Sequence, residues 1–282
     1  MRSLPWLVAA SLLLLLAGAA GRGRKRRALK ALPPPGPGHR PNPRAGERGH
    51  GMPADGAAPA GGACTRSLLV GLLHDQCLSL KVDALASGAD PRKQAEALAS
   101  AWHIHTAGEA RGTLAWLLEE GHRALYPQVC RILFAVPRAE RERQIVLLDD
   151  VFDPVHLALC VDNLERAMPA LRASRFVASG ADLARGVLAW DMGRAIHVAR
   201  LAYDCGMQNE AQAWAVIERA AAMVFAHLES WEAVAGSYLL GRAMWGGPGT
   251  GLKRHLSFGQ RCLDDPASPW RAVPYRAAPP RA

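Results

Sequence analysis

The sequence is poor in the short signatures of familiar chemistry. Its 282 residues hold no G-x-x-x-x-G-K-[ST] loop, no strand followed by G-x-G-x-x-G, no H-E-x-x-H and no G-x-S-x-G. The common marks of nucleotide, dinucleotide, zinc-protease and esterase sites are therefore missing. Aromatic residues make up only 6%. The six cysteines, Cys64, Cys77, Cys130, Cys160, Cys205 and Cys262, are scattered without a C-x-x-C pair, which excludes a disulfide-built scaffold and the usual zinc spacings. No stretch shows strand alternation bounded by turns. What is present is 50% hydrophobic and 21% charged residues, enough to bury a core and too apolar for wholesale disorder.

The net charge of +9 is unevenly spread. Residues 1–60 carry ten Lys/Arg against two acids (+8), residues 61–250 carry 18 against 21 (−3), and residues 251–282 carry six against two (+4). The body is slightly acidic, so the basic total is no sign of a nucleic-acid partner; residues 31–63 also lack an aromatic side chain to stack on bases. No nucleic acid is expected.

The basic excess adjoins an apolar run. Leu4 to Gly21 is free of charge, and about 27 Å of helix marginally spans a hydrocarbon core. Ala17-Gly18-Ala19 fits the exit of a cleaved signal peptide. The following cations Arg22, Arg24, Lys25, Arg26, Arg27 and Lys30 favour retention on the cytoplasmic side. Residues 1–21 are therefore expected to be a single-pass inner-membrane anchor with the body in the cytoplasm, the alternative being a secreted or periplasmic domain after signal cleavage. The basic run would lie on anionic headgroups. Eight prolines and eight glycines among residues 31–63 complete a disordered tether over 22–63.

From residue 64 the pattern is helical, and an all-α, compact multi-helix bundle is predicted over 64–247, behind the hydrophobic helix and the disordered linker. Asp90-Pro91 and Asp153-Pro154 read as N-caps before a first-turn proline, and Thr106-x-x-Glu109 and Asn209-x-x-Gln212 as capping boxes. Helices are expected near 65–86, 91–103, 107–122, 124–134, 138–149, 154–168, 181–205, 210–229 and 231–245. Residues 248–282 read as an irregular basic tail with at most one short helix before Cys262.

On a wheel of 181–205, Asp191 centres the apolar stripe with Arg194 inside it, whereas Arg185, His197, Arg200 and Asp204 take the opposite side. A carboxylate facing a core needs a partner, and Arg194 at i+3 is the nearest. In 231–245, Trp231, Val234, Tyr238 and Trp245 share a face flanked by Arg242. Asp191, Arg194 and Arg242 are expected to converge, bordered by Trp190, Trp231, Tyr238 and Trp245, either as an ion-pair network fixing helix register or as a pocket for an acidic ligand group. Glu119-x-x-His122 has the spacing of half a di-metal site, but both residues face away from the stripe of their helix and no second pair exists. Asp153-x-x-His156 reads as a cap, and His103 and His105 as solvated or capping. No metal, no cofactor and no catalytic residues are assigned.

The run Leu188-Ala-Trp-Asp-Met-Gly-Arg194 is followed by Arg200, Tyr203, Gly206, Ala213-Trp214, Ser230-Trp231 and Ser237-Tyr-Leu-Leu-Gly-Arg242 with Trp245. Together with Trp102 and Leu118-Glu-Glu-Gly-His-Arg123, it resembles a bacterial family known as domain of unknown function family 1266, over roughly residues 75–247. The resemblance implies no established activity, substrate or cofactor. It places the family signature on Trp190, Asp191, Arg194, Trp231, Tyr238, Gly241 and Arg242, and leaves the anchor and tether outside the pattern. The function expected is a membrane-tethered domain that binds a protein partner or acts as a scaffold without catalysis. The alternative is a hydrolase or transferase with a pocket around Asp191, Arg194 and Arg242.

Overall fold

A computed structural model describes residues 62–75 and 81–276, and the expected anchor, basic run and most of the tether lie outside them. Every regular element among the described residues is helical. The chain runs through α1 (Gly62–Leu68), a 3-10 turn (Leu69–Gly71) and α2 (Leu72–Asp75), then α3 (Pro91–Trp102), α4 (Ala107–Glu119), a 3-10 turn (His122–Ala124) and α5 (Tyr126–Ala135). After a 3-10 turn at Arg138–Glu140 follow α6 (Arg141–Val146), α7 (Pro154–Arg172), α8 (Gly180–Ala184), α9 (Leu188–Asp204), α10 (Glu210–His227), α11 (Trp231–Gly246), α12 (Thr250–Asp264) and α13 (Pro269–Ala272). None of these helices is long and apolar enough to cross a membrane.

The starts follow from local chemistry. Asp90 and Asp153 accept from the backbone N–H groups of Arg92 and His156, each with a proline in the first turn. Thr106 with Glu109 and Asn209 with Gln212 close reciprocal capping boxes, satisfying donors that a helix start leaves orphaned. Ser179 with Asp182 forms a third box at α8.

The centre of the fold is α9, packed by α3, α4, α10, α11 and the 69–75 segment. Every residue from Leu188 to Ala202 is buried. The side of the wheel opposite Asp191 is covered as well, so His197 and Arg200 are as deeply enclosed as Asp191. A wheel ranks the two sides of a helix only when one of them meets water. Close approach to this axis needs small residues. A Cβ on Gly241 of α11 would run into Trp190, its Cδ1 lying 2.8 Å away.

Other expected helices differ for identifiable reasons. Of the span 65–86, residues 65–75 are helical, while residues 81–90 form an irregular loop whose carbonyls at Lys81, Ala84, Leu85 and Ala86 turn inward to the Arg200 guanidinium. One buried arginine thus satisfies acceptors that a helix would have used itself. Gly186, at φ 76°, breaks 181–205 between α8 and α9. The span 138–149 holds only a 3-10 turn and the short α6, and α7 continues past 168 to Arg172.

The tail departs furthest from the irregular segment expected. It forms the 15-residue α12 and then α13. Trp270 is buried and stacks on Trp231 at 5.3 Å between ring centres, and its Nε1 donates to the Leu69 carbonyl at 2.9 Å. The Tyr275 hydroxyl donates to the Leu228 carbonyl at 2.9 Å. A large aromatic buried with its polar atom satisfied is a strong local anchor.

Candidate functional site: two buried charge networks on one helix

Asp191 stands in the first turn of α9 with no solvent exposure. One carboxylate oxygen accepts from the His122 backbone N–H at 3.0 Å and from Arg194 Nη2 at 2.7 Å. The other accepts from the Arg123 backbone N–H at 2.8 Å and from Arg123 Nη1 at 3.3 Å. A carboxylate with four donors and two guanidiniums around it meets the conditions under which a buried charge is tolerated. The approach of the 121–123 backbone depends on Gly121. Its φ of 57° suits glycine, and a Cβ there would collide with the Asp191 carboxylate. Arg123 also donates to the Leu117 and Leu118 carbonyls at 2.6 Å each, closing the C-terminal end of α4 with a cation.

Arg194 completes this network inside an aromatic cage. Its guanidinium carbon lies 4.5 Å from the Trp190 ring, 5.5 Å from Trp102 and 6.0 Å from Trp116. Arg194 Nη2 also lies 2.8 Å from His122 Nδ1. A guanidinium can only donate, so Nδ1 accepts and the His122 proton sits on Nε2. Burial, followed by the Arg194 charge, holds the His122 pKa well below 6.5. The imidazole is neutral, T-shaped against Trp116 and His156.

The far side of α9 carries a second network. Asp75, from α2, is 1% exposed and binds the Arg200 guanidinium with one oxygen. Its other oxygen accepts from His197 Nδ1 at 2.7 Å. Burial pushes the Asp75 carboxyl up, but the Arg200 charge and the His197 hydrogen bond outweigh it and leave the pKa below its ordinary value. The His74 ring stands 4.4 Å from His197, and its Nδ1 lies 3.0 Å from the Tyr238 hydroxyl. Tyr238 meets Trp190 edge-on at 5.2 Å. An aromatic and imidazole bridge therefore runs from Arg194 through Trp190, Tyr238, His74 and His197 to Asp75.

Of the residues expected to converge, Asp191 and Arg194 pair, Trp190 covers the arginine, and Tyr238 and Trp245 border Trp190, the latter at 5.9 Å. Arg242 lies elsewhere, against Trp245 at 5.4 Å, and the second guanidinium on Asp191 belongs to Arg123. Trp231 also belongs elsewhere, packed with Trp270, Phe225 and Tyr275. It shares a helix face with Trp245, but fourteen residues of helix separate the two by about 21 Å. The run Arg22, Arg24, Lys25, Arg26, Arg27 and Lys30 lies outside the described residues. Glu119 is exposed while His122 is buried on Arg194, so that spacing builds no shared site. Among the described residues no three His, Cys, Asp or Glu side chains are grouped to hold a metal ion.

Sequence reasoning missed Asp75, His74, His197, Arg200, His122 and Arg123 as members of these networks. One signal was available: Asp75 closes the apolar run Ser67-Leu-Leu-Val-Gly-Leu-Leu-His-Asp75, where a lone carboxylate calls for an arginine from another element.

An all-helical domain with a buried central helix, charged on two sides and paired on both, is the class that fold and site define. The chain matches the model of a family described as protein of unknown function (DUF1266) over residues 97–275, and it belongs to that family. The match takes in α12 and α13 as well as the signature around Asp191. No curated protein and no solved structure matches the chain.

Replacing Asp191 by Asn should destabilise the fold by about 3–5 kcal/mol, because Arg194 then lies buried without its counter-charge. Thermal unfolding should show a loss on the order of 10 °C, whereas Asp162→Asn, at an exposed pair with Arg166, should change little. An Asp191→Asn protein as stable as wild type would contradict the paired geometry.

Stability should also fall in acid. His122 and His74 have folded pKa values well below 6.5, so below that pH the unfolded chain takes up protons that the fold refuses, and stability drops by up to about 1.4 kcal/mol per pH unit for each histidine. Asp75, depressed when folded, adds a further loss as the pH falls through its folded pKa. Melting temperature measured from pH 8 to pH 5 should be flat at first and then decline below about 6.5; a constant or rising value would refute this.

Proposed function

We propose that this protein is a helical binding domain that engages a protein partner through the surface where α6 turns into α7. The observation that carries the reading is a localised apolar surface. The large hydrophobic side chains left exposed among the described residues are Val146, Leu147, Val151, Val155 and Leu159, and all fall in one stretch of chain. Val155 and Leu159 are one turn apart on α7. The stretch also exposes Asp149, Asp150 and Asp153. Grouped exposed apolar residues mark interaction surfaces, and the acidic rim selects a partner with apolar side chains flanked by basic ones.

The rest of the molecule supports this reading over a pocket at the signature. Asp191 has no exposure and four donors, so its carboxylate serves the fold. Residues 4–21, the basic run after them and the Pro/Gly stretch support a tether to the inner membrane with the body in the cytoplasm. In that arrangement residues 1–21 anchor, 22–63 link and the helical body recruits.

A photo-crosslinking residue placed at Val155 in cells should give a discrete adduct. Leu159→Asp should abolish it, and Asp149→Asn with Asp150→Asn and Asp153→Asn should weaken it several-fold, while a crosslinker at exposed Arg219 gives none. An adduct indifferent to the aspartates would sink the acid-rimmed surface. A reporter active only outside the cytoplasm, fused after Ala282, should stay silent; its activity would overturn the orientation.

A further inference from the structure

The aromatic cluster that fastens the tail also walls a surface cavity. The cavity, of about 180 Å³, is lined by Arg66 from the last turn of α1, Phe225 near the end of α10, and Tyr275 and Arg276 beyond α13. Its aromatic wall is held in place. Phe225 meets Tyr275 edge-on at 5.2 Å and Trp231 at 6.1 Å, and the Tyr275 hydroxyl is tied to the Leu228 carbonyl. Trp231 Nε1 donates to the Val273 carbonyl at 2.9 Å, which fixes the chain two residues before Tyr275.

The two cations of the lining are unanswered. Neither the Arg66 nor the Arg276 guanidinium is ion-paired or hydrogen-bonded among the described residues. The Arg66 guanidinium carbon lies 4.9 Å from the centre of the Phe225 ring, which attracts the cation but offers it no acceptor. Arg66 Nε is buried without a hydrogen-bond partner, and a donor left unmet in this way costs free energy. Burial and Glu229 raise the Tyr275 hydroxyl to about 12, while Arg276 and Arg66 pull it back, so both cations act on the same place. Glu229 is itself occupied, paired with Arg185 at 3.2 Å.

We propose that Arg66 and Arg276, with Phe225 and Tyr275, form a binding site for a small aryl carboxylate. Guanidiniums from two elements supply donors for the two carboxylate oxygens, and the aromatic wall gives the ligand's ring an apolar surface to lie on. Size narrows the class further. Drug-sized ligands fill roughly 300–1,000 Å³, so this cavity takes a single ring with its anionic group. Acetate or a free phosphate ion would meet the cations and leave the rings uncovered, which is how the lining selects for the aryl group. The site shares no residue with the α6–α7 surface and does not rest on the protein-binding reading.

The test uses the full chain in a neutral detergent with its arginine side-chain nitrogens labelled, titrated by NMR with benzoate, acetate and inorganic phosphate at constant ionic strength. The Arg66 Nε–H signal should shift saturably with benzoate, and acetate and phosphate should bind about tenfold more weakly or worse, for want of a ring to bury. Arg66→Met should weaken benzoate binding at least about tenfold, read on the benzoate signals by saturation transfer. Should that variant misfold, Arg276→Gln decides: the side chain is exposed, so the fold persists, and binding should weaken about threefold. Arg92→Gln, exposed on α3, should leave it unchanged. No saturable response to benzoate, acetate or phosphate binding as tightly as benzoate, or binding indifferent to a folded Arg66→Met or to Arg276→Gln overturns the site.

Discussion

The carboxylate of Asp191 fixes the backbone of one element against the side chain of another. By holding the N–H groups of His122 and Arg123, it sets where the chain leaving α4 crosses the start of α9. Gly121 permits the approach, Arg123 neutralises the charge while closing α4, and Arg194 neutralises it from within α9 under a roof of tryptophans. Each device would be costly alone, since a buried ion without its partners loses several kcal/mol of solvation. Together they leave one arrangement in which every charge is answered.

The second network repeats this logic across the helix. Arg200 pairs with Asp75 and gathers the carbonyls of the 81–86 loop, so a segment with no regular structure is held as firmly as a helix. Alanine- and leucine-rich helices can slide past one another at little cost, because one apolar contact resembles the next. The two networks give α9 a fixed rotation and a fixed height, and the rings of Trp190, Tyr238, His74 and His197 connect them.

The all-helical class, the caps and the Asp191–Arg194 pair were legible because each depends on residues close together in the chain. Ser230 and Trp231 at the start of α11 and the Thr106 box belong to this class. The partners of Asp191 across the fold were not legible, since the N–H groups of residues 122 and 123 have no side-chain signal beyond the glycine before them. The burial of His197 and Arg200 was not legible because periodicity sorts residues into two sides and cannot tell when both are covered. The tail was underestimated because its arginines and prolines outweigh, in composition, the single Trp270 that fastens it.

The Arg200 clamp has a consequence for where this domain begins. The family match starts at residue 97, yet Asp75 and the carbonyls of 81–86 come from before that boundary. A fragment excised at the matched limits would keep Arg200 and His197 in a hydrophobic interior and discard the groups that answer them. The cooperative unit is therefore wider than the stretch that marks its kinship, and residues ahead of that stretch are part of the domain's own interior.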